Sequence, residues 1–134
     1  AINEEQEQSS NPKSTGRAIV LEQTLDLSSF DSVQAFAQQV RQQFPQLDVL
    51  INNAGRNTSG QSGKLDLLFQ SNFLGHFLLT KELLESLKAG QGHVINLSSA
   101  MHHFSGSRPL DEAYWKSVAL HSPDRPPETY AASK

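Results

Sequence analysis

No cysteine occurs in the 134-residue chain, which excludes disulfides, thiol nucleophiles and cysteine-ligated metal sites and leaves the redox compartment undecided. Positive charge is scarce as well. Eleven Lys and Arg stand against 14 Asp and Glu, a formal net charge of −3, so there is no basic footprint for nucleic acid. Long apolar runs are missing too. The opening AINEEQEQSS is acidic and glutamine-rich, neither a signal peptide nor a membrane-spanning segment. These absences lead us to expect an intracellular, cytoplasmic chain with no membrane segment of its own. A start without methionine suggests processing or a piece cut from something longer.

What is present suits one ordinary domain, with 37% apolar residues to fill its core. Residues 1–17 combine charge, Ser, Asn, Pro and Gly and read as a polar loop or frayed helix end. From Ala18 to Leu27 branched residues dominate, which predicts a short strand. Ser28 to Asp31 then offers helix caps. Val33, Phe36, Ala37, Val40 and Phe44 recur at helical spacing, giving a helix over 31–44 that Pro45 ends. LDVLINNAG follows, an apolar run without alternation, as expected of a strand covered on both faces. A loop marked by Gly60 and Gly63 leads to a long helix with Leu65, Leu68, Phe69, Phe73, His76, Leu79, Leu83 and Leu87 on one face. HVINLSS reads as another short strand. Residues 101–128 hold four of the six prolines and read as a long irregular excursion before a last helix that starts at Thr129. Strands alternating with helices predict an α/β fold with a parallel sheet.

Four features carry chemistry. Tyr130 stands four residues before Lys134, one helical turn, and an ammonium there favours the phenolate and pulls a phenol that titrates near 10 toward neutrality. Such a phenol gives a proton to a carbonyl oxygen or takes one from an alcohol; as a bare pair it is equally a surface turn. Ser99 ends the VINLSS run, where parallel α/β sheets bind ligands, although serine is also an ordinary turn residue. Asn72 falls seven residues from both Leu65 and Leu79. An amide is thereby placed on the buried stripe, either to serve a site or to bridge helix to sheet. In NNAG, residues 52–55, the glycine permits close backbone approach to a ligand and the two amides can tie strand ends together. His102 and His103 are adjacent, so they cannot share a face as a metal pair does, and they and His76 receive no role. No metal site is expected.

Taken in order, NNAG, the helix Asn, the strand-end Ser and Tyr-x-x-x-Lys resemble the short-chain dehydrogenase/reductase family. LDVLINNAG, SNFLGHFLLT, HVINLSSAMHH and YAASK look like its retinol dehydrogenase-like branch, from about Ala18 to Lys134. The resemblance implies that residues 18–134 are a partial Rossmann-type, doubly wound parallel α/β domain truncated at both ends. It implies an oxidoreductase using NAD or NADP on a small alcohol or carbonyl substrate, with a homo-oligomeric, membrane-associated parent admissible. By the same resemblance Tyr130 is the general acid/base and also contacts the cofactor, Lys134 is its partner and a ribose ligand, Ser99 the donor to the substrate oxygen, and Asn72 the anchor of a relay water. Ser98 is the residue that a one-position shift would select instead. Asp26 and Leu27 would face the adenine, and Asn53, Ala54 and Gly55 the ribose. The family's glycine-rich phosphate turn has no match, since Thr15-Gly16 is followed by Val20 where a glycine should fall. The chain alone is therefore expected to be inactive, and a non-catalytic protein of the same fold that acts by binding is the alternative.

Overall fold

The computed structural model describes residues 18–58, 61–62, 65–105, 110–121 and 130–133. The polar segment 1–17, the loop glycines 60 and 63, the start of the last helix at Thr129, and Lys134 lie outside them.

The first helix, α1 (Phe30–Gln43), starts where Ser29, extended at φ −123, accepts a hydrogen bond from the Ser32 amide through its side chain. That satisfies one of the orphan donors of the first turn. Its inward stripe of Val33, Ala37 and Val40 is buried, and Phe44 caps it just before Pro45. Strand β1 (Val49–Asn52) follows, then a small antiparallel pair, β2 (Gln61–Ser62) and β3 (Leu65–Asp66). Asp66 ends that pair and caps the next helix, its carboxylate accepting from the Phe69 amide at 2.9 Å.

From Leu67 to Glu82 the chain is one helical run made of α2 (Leu67–Phe69), a π-helical turn (Gln70–Leu74) and α3 (Gly75–Glu82). It bends at Leu83 into α4 (Leu84–Ala89). Strand β4 (His93–Asn96) then pairs with β1 in parallel, Val49 opposite His93 and Asn52 opposite Asn96. Two parallel strands joined through a helical connection are the kernel of an α/β Rossmann-type layer. The last rung carries a side-chain bond as well as a backbone one: buried Asn52 donates from Nδ2 to Asn96 Oδ1 at 2.7 Å and to Thr80 Oγ1 at 3.0 Å.

The main core cluster among the described residues joins Leu27, Val33, Ala37, Val40, Leu79, Leu83 and Leu87, between α1 and the α3–α4 arm, with Leu50 of β1 packed against it. An ion pair between Arg41 and Glu82 (2.9 Å) ties the same two arms at the rim. The other face of the sheet is open, Val49 being 50% and Ile51 58% exposed. The expectation of a strand covered on both faces is corrected, because α1 and α3–α4 lie on one side only. Nor does Ala18–Leu25 form a strand. It runs without a ladder partner among the described residues, with Leu21 and Leu25 leaning on the core and the Gln23 amide donating to Gln39 Oε1.

Residues 101–128 are not wholly irregular. A 3₁₀ turn spans Ala100–Phe104 and α5 spans Glu112–His121. The prolines that made this stretch read as loop bracket α5 instead of interrupting it, and Asp111 caps it by accepting from the Tyr114 amide at 2.9 Å. Trp115 of α5 stacks on Phe69 with centroids 4.0 Å apart, which docks this excursion against the helical run. No helix among the described residues is long and apolar enough to cross a membrane.

Candidate active site

Beyond the carboxyl ends of β1 and β4 the chain turns away twice, as 53–58 and as 97–99. A cleft of about 410 Å³ opens between these turns, lined by Asn53, Gly55, Arg56, Leu97, Ser99 and Tyr130, among others. An adjoining cleft of about 250 Å³ is lined by Asp26, Leu27, Ala54, Gly55, Arg56 and Ser71. Gly55 and Arg56 belong to both. Of the residues singled out in the sequence, Ser99, Tyr130, Asn53 and Gly55 therefore share one wall system, while Asp26, Leu27 and Ala54 lie on the far side of Gly55.

Asn72 sits in the π-helical turn, a form found often at functional sites. It is 8% exposed and lines a third cleft, of about 320 Å³, with Asn52, His76, Asn96, Ser98 and Ser133. Its amide is heavily engaged: Oδ1 accepts from the Arg56 amide, and Nδ2 donates to the Arg56 carbonyl and to Ser133 Oγ, each at 2.9 Å. Both N–H groups are consumed, so one Oδ1 lone pair is all the side chain retains for a water. Ser133 in turn donates from Oγ to the Tyr130 carbonyl at 2.8 Å. Asn72 thus connects the loop after NNAG to the turn that carries Tyr130. Replacing it with alanine leaves the Arg56 amide and carbonyl without their partner. We expect Asn72→Ala to cost about 1–3 kcal/mol, read as a lower urea midpoint together with faster hydrogen exchange at the Arg56 amide.

His76, which received no role from the sequence, lies one turn after Asn72 and places Nε2 2.7 Å from the Ala54 carbonyl oxygen. A carbonyl only accepts, so Nε2 carries the proton. Asn72 and His76 together hold the loop at Arg56 and at Ala54. The signal was available, since residues four apart on one helix share a face. Ser133 was missed because the Tyr-Lys pair drew the reading past it. Ser98 lines both the Tyr130 cleft and the Asn72 cleft. Ser99 Oγ accepts from the Met101 amide at 3.2 Å as cap of the 3₁₀ turn, and His102 Nδ1 stands 2.6 Å from the Ser99 carbonyl oxygen.

The Ser28 hydroxyl and then the Ser28 amide, both bonded to the Asp26 carboxylate, hold that group below its usual range, with a lesser pull from the charge of Arg56. A carboxyl depressed on folding contributes stability above its unfolded pKa and loses it as pH falls through the folded value. Asp26 is exposed, so solvent screens the effect. Wild type should therefore exceed Asp26→Asn in stability at neutral pH. The gap should close as pH falls below the ordinary aspartate range, read by urea midpoints at low salt.

The chain matches the short chain dehydrogenase family model over residues 2–109. It is 39% identical over 97 residues to "Retinol dehydrogenase 13" of Homo sapiens, covering 69% of this chain and 29% of that protein. It is 44% identical over 94 residues to "Retinol dehydrogenase 12" of Homo sapiens, covering 66% and 29%. It is also similar to a solved alcohol dehydrogenase from the archaeon Thermococcus sibiricus complexed with 5-hydroxy-NADP, at 26% identity, a TM-score of 0.49, and coverage of 72% of this chain and 42% of that one. The chain spans less than a third of the length of those two curated relatives. The matched stretch takes in every wall of the three clefts except Tyr130 and Ser133, and the chain belongs to the short-chain dehydrogenase family.

Proposed function

We propose that this chain is the central part of an NAD- or NADP-dependent oxidoreductase that interconverts alcohols with aldehydes or ketones. The observation that carries the reading is the shared cleft: Tyr130 and Ser99 face the same space as Asn53 and Gly55, beside a second space walled by Asp26, Leu27 and Ala54. The residues present fit a dinucleotide. They offer a carboxylate acceptor at Asp26, a side-chain-free backbone at Gly55 and, at Arg56, a buried Nε donor with no partner. A nicotinamide bound there would supply the hydride acceptor for oxidation and the donor for reduction.

The chain's own residues handle the proton and the geometry. In oxidation the substrate hydroxyl gives its proton to the Tyr130 phenolate oxygen, and in reduction the same oxygen returns it to the carbonyl. The Ser99 hydroxyl, in the same cleft as Tyr130, hydrogen-bonds the substrate oxygen and fixes its distance from Tyr130. Lys134 binds the cofactor ribose. Asn72, through Ser133, holds the Tyr130 main chain and, through Arg56, the loop that borders the cofactor. The open face of the sheet, with Val49 and Ile51 uncovered, supports reading the chain as part of a larger domain. The names of the relatives make retinol the first alcohol to try.

The test is turnover by the natural polypeptide that carries this sequence. It is given NAD or NADP with retinol and with short primary and secondary alcohols, and reduced nicotinamide is followed by absorbance. Reduced cofactor appearing with at least one alcohol supports the reading. Cofactor binding without turnover of any alcohol or carbonyl would overturn it in favour of a protein that only binds.

A further inference from the structure

We propose that Arg56 is a phosphate-binding residue, holding the phosphate bridge of the dinucleotide between the two clefts. This rests on the cofactor reading above. Arg56 follows Gly55, and these are the two residues common to the space walled by Asp26 and Leu27 and the space walled by Ser99 and Tyr130. A dinucleotide that puts its adenosine half in the first and its nicotinamide half in the second has its linking phosphates where the two meet. Those phosphates are its most strongly anionic part.

The guanidinium is built for that position and is scarcely used by the protein. Its main chain is fixed at both ends of the residue by the Asn72 amide, at 2.9 Å each way. Of the five N–H donors a guanidinium carries, one has a bond of its own among the described residues, from Nη2 to Thr58 Oγ1 at 3.1 Å. Nε is buried and without a partner. An unsatisfied donor of this kind is costly unless a ligand meets it. Arg56 forms no ion pair among the described residues, the bridges there being Arg41–Glu82, Lys88–Glu85 and Lys116–Glu112. Asp26 lies across the smaller cleft and has its own partners in Ser28. What remains is a planar, permanently charged fork on a residue that lines both clefts, and such a fork can bind two phosphate oxygens at once.

The test compares wild type, Arg56→Met and Arg56→Lys in the natural polypeptide. Affinities for adenosine, ADP, NADP and inorganic pyrophosphate are measured by calorimetry. In wild type the Arg56 Nε resonance is followed by NMR as pyrophosphate is added. Arg56→Met is expected to weaken ADP and pyrophosphate by about 10- to 100-fold and to leave adenosine within about twofold. Arg56→Lys, which keeps the charge and loses the fork, should fall between. The wild-type Nε resonance should shift with pyrophosphate, a readout that holds even if a variant fails to fold. ADP binding unchanged in Arg56→Met, adenosine weakened as much as ADP, or an Nε resonance indifferent to pyrophosphate would each overturn the assignment. If wild type binds pyrophosphate at Arg56 but turns over no alcohol, the phosphate site stands and the oxidoreductase reading falls. If it turns over alcohol while Arg56→Met binds ADP as wild type does, the reverse holds.

Discussion

Tyr130→Phe is expected to lower kcat/KM for alcohol oxidation by about 10²- to 10⁴-fold, the range lost when a positioned acid/base is removed, while cofactor affinity changes by less than about threefold. The ring is kept, so the packing of the half-buried side chain is kept too. The turn that carries it is held by its main chain, since the Tyr130 carbonyl accepts from the Ser133 hydroxyl at 2.8 Å and from the Ser133 amide at 3.1 Å. Neither bond involves the phenol. The substitution therefore removes one transferable proton and little else. A variant within about threefold of wild type would assign the proton to another group, and Ser98 or Ser99 would be next in line. Steady-state kinetics beside calorimetric cofactor titration make the distinction.

Gly75→Ala should destabilise the fold by about 1–3 kcal/mol, although alanine is the better helix former by about 1 kcal/mol. Packing outweighs propensity because a Cβ at position 75 would lie 2.3 Å from the Leu27 carbonyl oxygen and 2.9 Å from Leu27 Cβ. The missing side chain lets the start of α3 rest directly on the Leu27 backbone. Relief requires Leu27 and its neighbour Asp26 to move away from the helix, and these two residues wall the smaller cleft. The same substitution should therefore weaken adenosine binding in parallel with the urea midpoint. A variant stabilised by about 1 kcal/mol would show that propensity decides and that the close approach is not maintained.

Helical period exposed α1 within one residue at each end, because Val33, Ala37 and Val40 face one cluster and Ser29 and Pro45 bound it. Apolar runs gave away β1 and β4, and of the residues just past them Asn53, Gly55 and Ser99 border a common cleft. Three things were hidden. A π-helical turn leaves no spacing signal, since the apolar stripe on either side of it stays intact, so the turn that carries Asn72 was invisible. Ala18–Leu25 has the composition of a strand, but a strand is defined by its partner, and no composition shows whether one is adjacent. Arg56 acts through a neighbour in space, Asn72 Oδ1, and nothing adjacent to it in the chain announces it.

The amide rung at the end of the sheet decides something that hydrophobicity leaves open. Val49, Leu50 and Ile51 are all apolar, as are Val94 and Ile95 opposite them. If β4 slid by one residue along β1, an alternative sheet with nearly the same apolar surface would result, with the opposite set of side chains turned toward the helices. Only the polar end discriminates. Asn52 is buried, and its two N–H groups go to Asn96 and Thr80; a slid sheet would part the Asn52–Asn96 pair and strand an amide in the interior. The pair that looked like part of a binding motif thus also serves as the key that admits one alignment of the strands, and Ser98 and Ser99 fall opposite the NNAG loop only in that alignment.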